Sequence, residues 1–309
     1  MMEPEPLFPR DQYIKILHDL FSTAYGTNGF DTICSVLRVG GMADANLDAF
    51  SESRIAFDDY NWILDNVSSE KGATAARRFS LLMYCQAVEM SGAQEIIANL
   101  LRCTLKRAFV IDPFFDPWKR RKKNPLFRPP PSATTKYNRI RALATECKRD
   151  DLVGALDAFF DERIRNAFSH SDYIITDENF RFSDQGIAQQ IPVTELDDTI
   201  QHCFALFGAF LYLHHQWLGN LGKIKKYHRL PNYEVLELLP DEEQSLHGFR
   251  MHFSNGSSAT YARRASGVEA TNLVFQKDGT VNFMVGLFDA LKPEWMIDGK
   301  PVTDWSAVP

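Results

Sequence analysis

With 309 residues, 45% hydrophobic and 24% charged, the chain is long enough for two domains and apolar enough to bury a core, which excludes a disordered polymer. A formal net charge of −6 excludes a protein coated in basic surface. Five scattered cysteines (Cys34, Cys85, Cys103, Cys147, Cys203), with no C-x-x-C pair, exclude a disulfide framework or zinc knuckle and fit reduced thiols in a cytoplasmic protein.

The first ten residues carry Glu3 and Glu5 among prolines with no apolar run behind them, the wrong charge for a signal peptide. Tyr13, Ile16, Leu17, Leu20 and Phe21 recur at helical spacing, and Gly26, Gly29, Gly40 and Gly41 then interrupt any long element. Residues 1–74 therefore read as a helical N-terminal extension. From Ala75 to Leu105 a stronger helical block, broken near Ser91-Gly92, predicts a helical hairpin. Pro113, Pro117, Pro125 and Pro129-Pro130-Pro131 predict a loop, because proline at that density cannot continue a helix. Inside it lie Lys119, Arg120, Arg121, Lys122 and Lys123, flanked by Trp118 and Phe127. Such a cluster suits an RNA backbone with an aromatic side chain stacking on a base; a solvated loop or a nuclear-import signal has the same composition.

Helical pattern resumes over Thr135–Cys147 and, as one helix, over Asp150–Ser169, with Asp150 or Asp151 as N-cap. Tyr173–Thr176, Phe180–Phe182 and Ile191–Val193 then read as strands, with turn chemistry at Asp184-Gln185-Gly186, and predict a small β-hairpin between helices. A long helix follows, capped by Thr194, with Leu196, Ile200, Phe204, Phe207, Leu211 and Leu218 on one stripe. Its apolar run, Cys203 to Leu213, is shorter than the ~20 residues a bilayer demands, so no membrane span is expected. Pro231 and Asn232 mark a boundary. Beyond it, Tyr233–Leu238, Ser245–Phe253, Ala259–Arg263, Asn272–Phe275 and Val281–Val285 predict strands, with hairpin turns at Asn255-Gly256 and Asp278-Gly279. The expected class is α+β: a mainly helical domain at 75–231 with the inserted hairpin, then a β-rich domain at 232–309.

The stripe 152, 156, 159, 163, 166 and 170 starts apolar and ends in Arg163, Asn166 and His170. A stripe aimed only at a core has no reason to end that way. The segment Ile164-Arg165-Asn166-Ala167-Phe168-Ser169-His170 resembles the signature of the HEPN family: an arginine, an adjacent polar residue, then histidine after four intervening positions. The resemblance covers about residues 75–218. It implies a helical bundle, a metal-independent endoribonuclease with no cofactor, RNA as substrate and products with 2′,3′-cyclic phosphate and 5′-hydroxyl ends. It also implies a homodimer in which two motifs line one cleft, a toxin or antiviral defence setting, and an antitoxin or regulatory protein as partner. The chemistry is coherent: the 2′-hydroxyl is the nucleophile that DNA lacks, histidine is the side chain that titrates near neutrality, and a guanidinium stabilises the crowded phosphate. On this reading His170 is general acid/base, Arg165 the charge stabiliser and Asn166 an orienting group, with Arg163 a rival for the arginine role and Glu89 a further acidic contributor. Arg165 and His170 stand about 140° apart around an ideal helix, which is what makes two copies attractive.

Three plainer readings stand beside these. His170 could simply cap its helix. Tyr173, three residues on, lies one position beyond the tyrosine modified in toxins of this family, and reads equally as a strand residue packing on the hairpin. His214 and His215, adjacent on a helix, point different ways and read as structural. A HEPN domain can also be a non-catalytic RNA-binding or scaffold module, which is the alternative function. Glycine-rich phosphate loops and zinc-protease motifs are absent from the chain.

Overall fold

The computed structural model describes residues 9–40, 48–114, 131–184, 186–230, 234–254, 256–264, 267–276, 280–283, 296–297 and 300–301. The fold is α+β, a helical region followed by antiparallel sheet. In the first half, α1 (Pro9–Thr27), α2 (Gly29–Val36), α3 (Ala49–Lys71), α4 (Ala73–Val88) and α5 (Ser91–Thr104) follow one another. After the proline-rich stretch come α6 (Ala133–Glu146), α7 (Asp150–Phe159) and α8 (Glu162–Ser169). The short strands β1 (Tyr173–Ile175), β2 (Asn179–Asp184) and β3 (Ile187–Pro192) then lead into α9 (Val193–Lys223).

The first helix is no appendage. Tyr13, Leu17, Leu20, Phe21 and Ala24, the periodic positions of the sequence, are buried and pack along α9 and α5 in the same core as the later helices. Phe21 stacks on Trp217 with ring centroids 5.6 Å apart. Asn28 caps α2 by accepting the Asp31 N–H at 3.2 Å, and Asp48 and Ser132 cap α3 and α6 in the same manner. The helical hairpin α4–α5 turns at Glu89-Met90, close to the predicted break.

The expected single helix over Asp150–Ser169 is two helices. Phe160 is extended (φ −92°, ψ 102°), and Asp161 caps α8 by accepting the Arg163 N–H at 2.8 Å. The reason lies in Phe159 and Phe160, both buried. Neighbours on a helix point about 100° apart, and the break lets the two rings meet different partners. Tyr137 takes up the second ring, at 4.2 Å between centroids. The backbone exposed by the break is satisfied by the buried Tyr84 hydroxyl, which accepts the Asp161 N–H at 3.1 Å and lies 3.1 Å from the Phe159 carbonyl oxygen, its acceptor. Asp150 and Asp151 sit inside the first turn of α7 rather than at its cap, which is Arg149. Likewise α9 begins at Val193 behind Pro192, so Thr194 is an internal residue and not the cap.

The inserted sheet has three strands, as the sequence segments suggest, with the third running over Ile187–Pro192 rather than starting at Ile191. The sheet runs β1-β2-β3, antiparallel throughout, with Phe180 opposite Ile175 on one side and Ile191 on the other. Beyond α9, β4 (Tyr227–Arg229), β5 (Val235–Pro240), β6 (Leu246–His252), β7 (Ser258–Arg264) and β8 (Gly267–Thr271) form a five-stranded antiparallel meander. Two short antiparallel pairs form separate sheets, β9 (Leu273–Phe275) with β10 (Val281–Phe283) and β11 (Met296–Ile297) with β12 (Lys300–Pro301). The turn expected at Asp278-Gly279 lies outside the described residues, as does Asn255 of the other.

The meander shares a core with the helices. Leu236, Leu238, Phe249, Met251 and Tyr261 pack against Ile33 and Leu37 of the α2 end, Phe109 and Leu221. At the foot of α9, a Cβ on Gly222 would lie 2.1 Å from the Gln244 carbonyl oxygen, so only glycine lets helix and β5–β6 turn approach this closely. The meander also buries a carboxylate. Glu237, 2% exposed, accepts from His252 Nε2 at 2.8 Å and from Lys226 Nζ at 2.8 Å. Among the described residues, no helix is long and apolar enough to cross a membrane.

Candidate functional site

The motif residues occupy the open face of α8, whose Ile164 and Ala167 anchor it in the core. Arg165 and Asn166 are half-buried and His170 is exposed at the C-terminal end of the helix. That end closes with a Schellman pattern: Ser171 N–H donates to the Phe168 carbonyl at 3.0 Å and Asp172 N–H to the Ala167 carbonyl at 2.9 Å, with Ser171 in the left-handed region at φ +58°. His170 is thus the last helical-region residue before a sharp reversal, and its side chain is left at the rim. Among the described residues its imidazole has no hydrogen-bond or ion-pair partner.

Arg165 is held from two sides. Its Nε donates to Glu89 Oε1 at 2.8 Å, its Nη2 contacts the same oxygen, and its Nη1 donates to Asn166 Oδ1 at 3.0 Å. Glu89, at the C-cap of α4, was only a marginal candidate by sequence, yet it is the main partner of the motif arginine. Asn166 in turn accepts the His170 backbone N–H at 3.0 Å through its carbonyl oxygen, and its side chain lies one turn before His170 on the same face. The 140° between Arg165 and His170 is therefore narrowed: the guanidinium is drawn toward the asparagine that shares the histidine's side of the helix. The Cys85 thiol lies one turn before Glu89 and feels Arg165; burial nevertheless pushes it up to about 12, so it stays protonated and is no nucleophile.

Arg163, the rival arginine, belongs elsewhere. Its guanidinium pairs with Asp161, its own helix cap, at 2.6 Å, reaches Gln189 Oε1 at 3.5 Å and lies 6.0 Å from the Phe182 ring centroid. It faces the small sheet. The break after Phe159 separates the upper half of the predicted stripe, Leu152, Leu156 and Phe159, which is core, from the lower half on α8. Tyr173 is a packing residue: it stacks on Phe168 at 5.8 Å and lies 5.6 Å from Phe180.

Immediately beyond His170 a groove of about 550 Å³ runs over the small sheet, lined by Ser171, Asp172, Ile174, Arg181 and Gln190 among others. Arg181 is exposed and has no ion-pair partner among the described residues. Its outward direction was visible in the alternation Phe180-Arg181-Phe182, with both rings buried. Ile174 and Ile187 are exposed to 62% and 66% on the same sheet. The basic residues Lys119, Arg120, Arg121, Lys122 and Lys123 lie outside the described residues.

His214 is buried, with Nε2 facing the Val36 carbonyl at 2.9 Å, and His215 is exposed. Among the described residues no group of three or more His, Cys, Asp or Glu could hold a metal ion. The five cysteines are free thiols.

No family model matches the chain, and neither the curated proteins nor the solved structures contain a significant match.

Proposed function

We propose that the protein is a metal-independent endoribonuclease of HEPN type, with His170 as general acid/base, Arg165 as charge stabiliser and Asn166 as the group that orients them. The observation that carries this reading is the hydrogen-bonded run Glu89–Arg165–Asn166, ending one turn from an exposed imidazole that has no partner among the described residues. In the reaction the 2′-oxygen attacks phosphorus as its proton passes to one imidazole. The bond from phosphorus to the 5′-oxygen breaks, and that oxygen takes a proton from a second imidazole, giving the cyclic phosphate and the 5′-hydroxyl. The guanidinium neutralises charge on the non-bridging oxygens. Two histidines are needed at once, so the reading includes a homodimer that brings a second copy of His170 into one cleft. The Arg181 groove and the cluster from Lys119 to Lys123 are the places where the RNA backbone would rest. A toxin or antiviral setting, with an antitoxin or regulatory partner, belongs to the same proposal.

The test is incubation of the purified protein with RNA in EDTA. Cleavage with 2′,3′-cyclic phosphate ends that falls about 10²–10⁴-fold in both His170→Ala and Arg165→Ala supports it. RNA binding without cleavage, unchanged in both variants, overturns it. One observation favours the second reading, a non-catalytic RNA-binding or scaffold module: Glu89 already neutralises the guanidinium that a phosphate would need. Cleavage by the wild-type protein decides between them.

A further inference from the structure

Helices α5 and α6 run side by side in one direction. Near their starts the Lys136 ammonium donates to Ser91 Oγ at 2.6 Å, and near their ends the Cys147 thiol donates to the Leu101 carbonyl at 3.4 Å. Their C-termini therefore stand together, and both close alike. In α5 the Lys106 N–H donates to the Cys103 carbonyl and the Arg107 N–H to the Arg102 carbonyl, each at 2.9 Å. In α6 the Lys148 N–H donates to Thr145 and the Arg149 N–H to Ala144, again at 2.9 Å. These are two Schellman closures, with Lys106 at φ +58° and Lys148 at φ +57° in the left-handed position. Glycine is the usual residue there, because a Cβ is strained in that conformation. Both helices carry an exposed lysine instead.

The negative end of the helix dipole is the plain reason for a cation at a C-terminus. It does not account for Arg139, which is exposed in the second turn of α6. The Arg102 guanidinium, held at the end of α5 by donating to the Ala108 carbonyl at 3.0 Å, feels that charge. Its pKa is lowered by burial first and then by Arg107 and Arg139, with Asp31 offsetting part of the effect. Two of the cations here are already matched. Arg107 pairs with Glu146, and Arg149 pairs with Asp19 at 2.9 Å and Asp151 at 2.8 Å. Arg102, Lys106, Arg139 and Lys148 have no ion-pair partner among the described residues.

Four unmatched cations on one part of a chain with net charge −6 call for a polyanion. The large apolar side chains exposed among the described residues, such as Trp62, Leu82 and Tyr212, all lie off α5 and α6. A membrane-binding face needs apolar groups to insert and a protein interface needs an apolar centre, whereas a phosphate backbone needs neither. We propose that the paired ends of α5 and α6 seat the phosphate backbone of RNA, held by Arg102, Lys106, Arg139 and Lys148. Naming RNA as the polyanion rests on the ribonuclease reading above; the cluster of charge does not. Helix α5 has 14 residues, about 21 Å at 1.5 Å per residue, and Glu89 lies just before its start. The seat thus stands a helix length along α5 from Glu89 and contributes affinity rather than chemistry.

The experiment is fluorescence anisotropy of the full chain with a labelled 2′-O-methyl RNA strand, which lacks the 2′-hydroxyl nucleophile, over a series of salt concentrations. The double variant Lys106→Gly/Lys148→Gly places glycine where the backbone favours it, so its thermal midpoint is expected to hold or rise. It is expected to bind about tenfold more weakly near 0.1 M salt, with the slope of log affinity against log salt shallower by about 1.4, roughly 0.7 for each cation removed. Arg139→Gln is expected to flatten the slope by about 0.7, and it decides alone should the double variant fail to fold. Affinity and slope unchanged in both variants overturn the proposal and leave the ribonuclease reading standing. Wild-type protein that does not bind the strand overturns it too, and cleavage of ordinary RNA in EDTA then tells whether that reading falls with it. Binding to phosphatidylserine vesicles in place of RNA likewise overturns it.

Discussion

Arg165 on α8 and Glu89 at the end of α4, 76 residues apart in the chain, are joined by an ion pair whose partners are 30% and 40% exposed. A pair that open to solvent contributes at most about 1 kcal/mol to stability. Its consequence is directional: it fixes where the guanidinium points. Glu89→Ala is therefore expected to leave chemical denaturation nearly unchanged while lowering RNA cleavage about tenfold, with Glu89→Gln retaining more activity through its amide oxygen. A Glu89→Ala protein that cleaves as fast as wild type would remove the positioning role.

Tyr84→Phe removes the hydroxyl that serves the backbone between α7 and α8. A buried N–H is then left without a partner, which costs about 1–3 kcal/mol. Urea unfolding should show that loss, and exchange of the Asp161 amide with deuterium should accelerate. An unaltered Asp161 exchange rate would mean that water or another group takes over.

His214 makes the fold sensitive to acid. Its pKa is lowered by burial from the ordinary 6.5 to about 4, so the unfolded chain binds the proton more readily than the folded one. Stability from this group is complete above about 6.5 and is lost as pH falls toward 4, by roughly 2–3 kcal/mol. Denaturation midpoints at pH 7, 6, 5 and 4 measure the slope, and His214→Gln should flatten it.

At lower pH a second group takes over. Burial alone would raise the Glu237 pKa, but the hydrogen bonds from His252 and Lys226 outweigh it and hold the carboxyl at about 2. Its contribution is present above the ordinary 4.5 and disappears as pH falls toward 2. Glu237→Gln is expected to unfold more easily at pH 7 and to lose less than wild type between pH 4 and pH 3.

Gly222→Ala places a methyl group against the Gln244 carbonyl, and the helix or the turn must move. A loss of about 1–3 kcal/mol is expected, read from thermal unfolding. The neighbouring Gly219, where a Cβ would meet nothing, serves as control: Gly219→Ala should be neutral or slightly stabilising.

Much of this architecture was legible because it is periodic. The buried side of α1 and the alternation in β2 follow directly from residue spacing. What escaped was non-local. A stripe from Leu152 to His170 reads as one helix because residue spacing carries no record of Tyr84, 77 positions away from Asp161, which makes the break affordable. Arg163 shares that stripe with His170, yet its nearest carboxylate, Asp161, claims it. Strands β4 and β8 are short and half-polar, since they are the edges of the meander, and edges lack the alternation that a buried face imposes. Of the candidate site, Asn166 and His170 were visible as a pair four residues apart. Arg165's tie to Glu89 needed the packing of α4 against α8.

The seam between α2, the foot of α9 and the meander has a consequence for synthesis. Leu221, Ile33 and Leu37 have their apolar cover only once Leu236, Phe249, Met251 and Tyr261 have left the ribosome. A nascent chain halted after residue 230 would carry a wet, greasy flank, the condition in which chaperones hold a protein and neighbours stick to it. Burial of that flank therefore waits on strands β5 to β7, which follow the last helix in the chain.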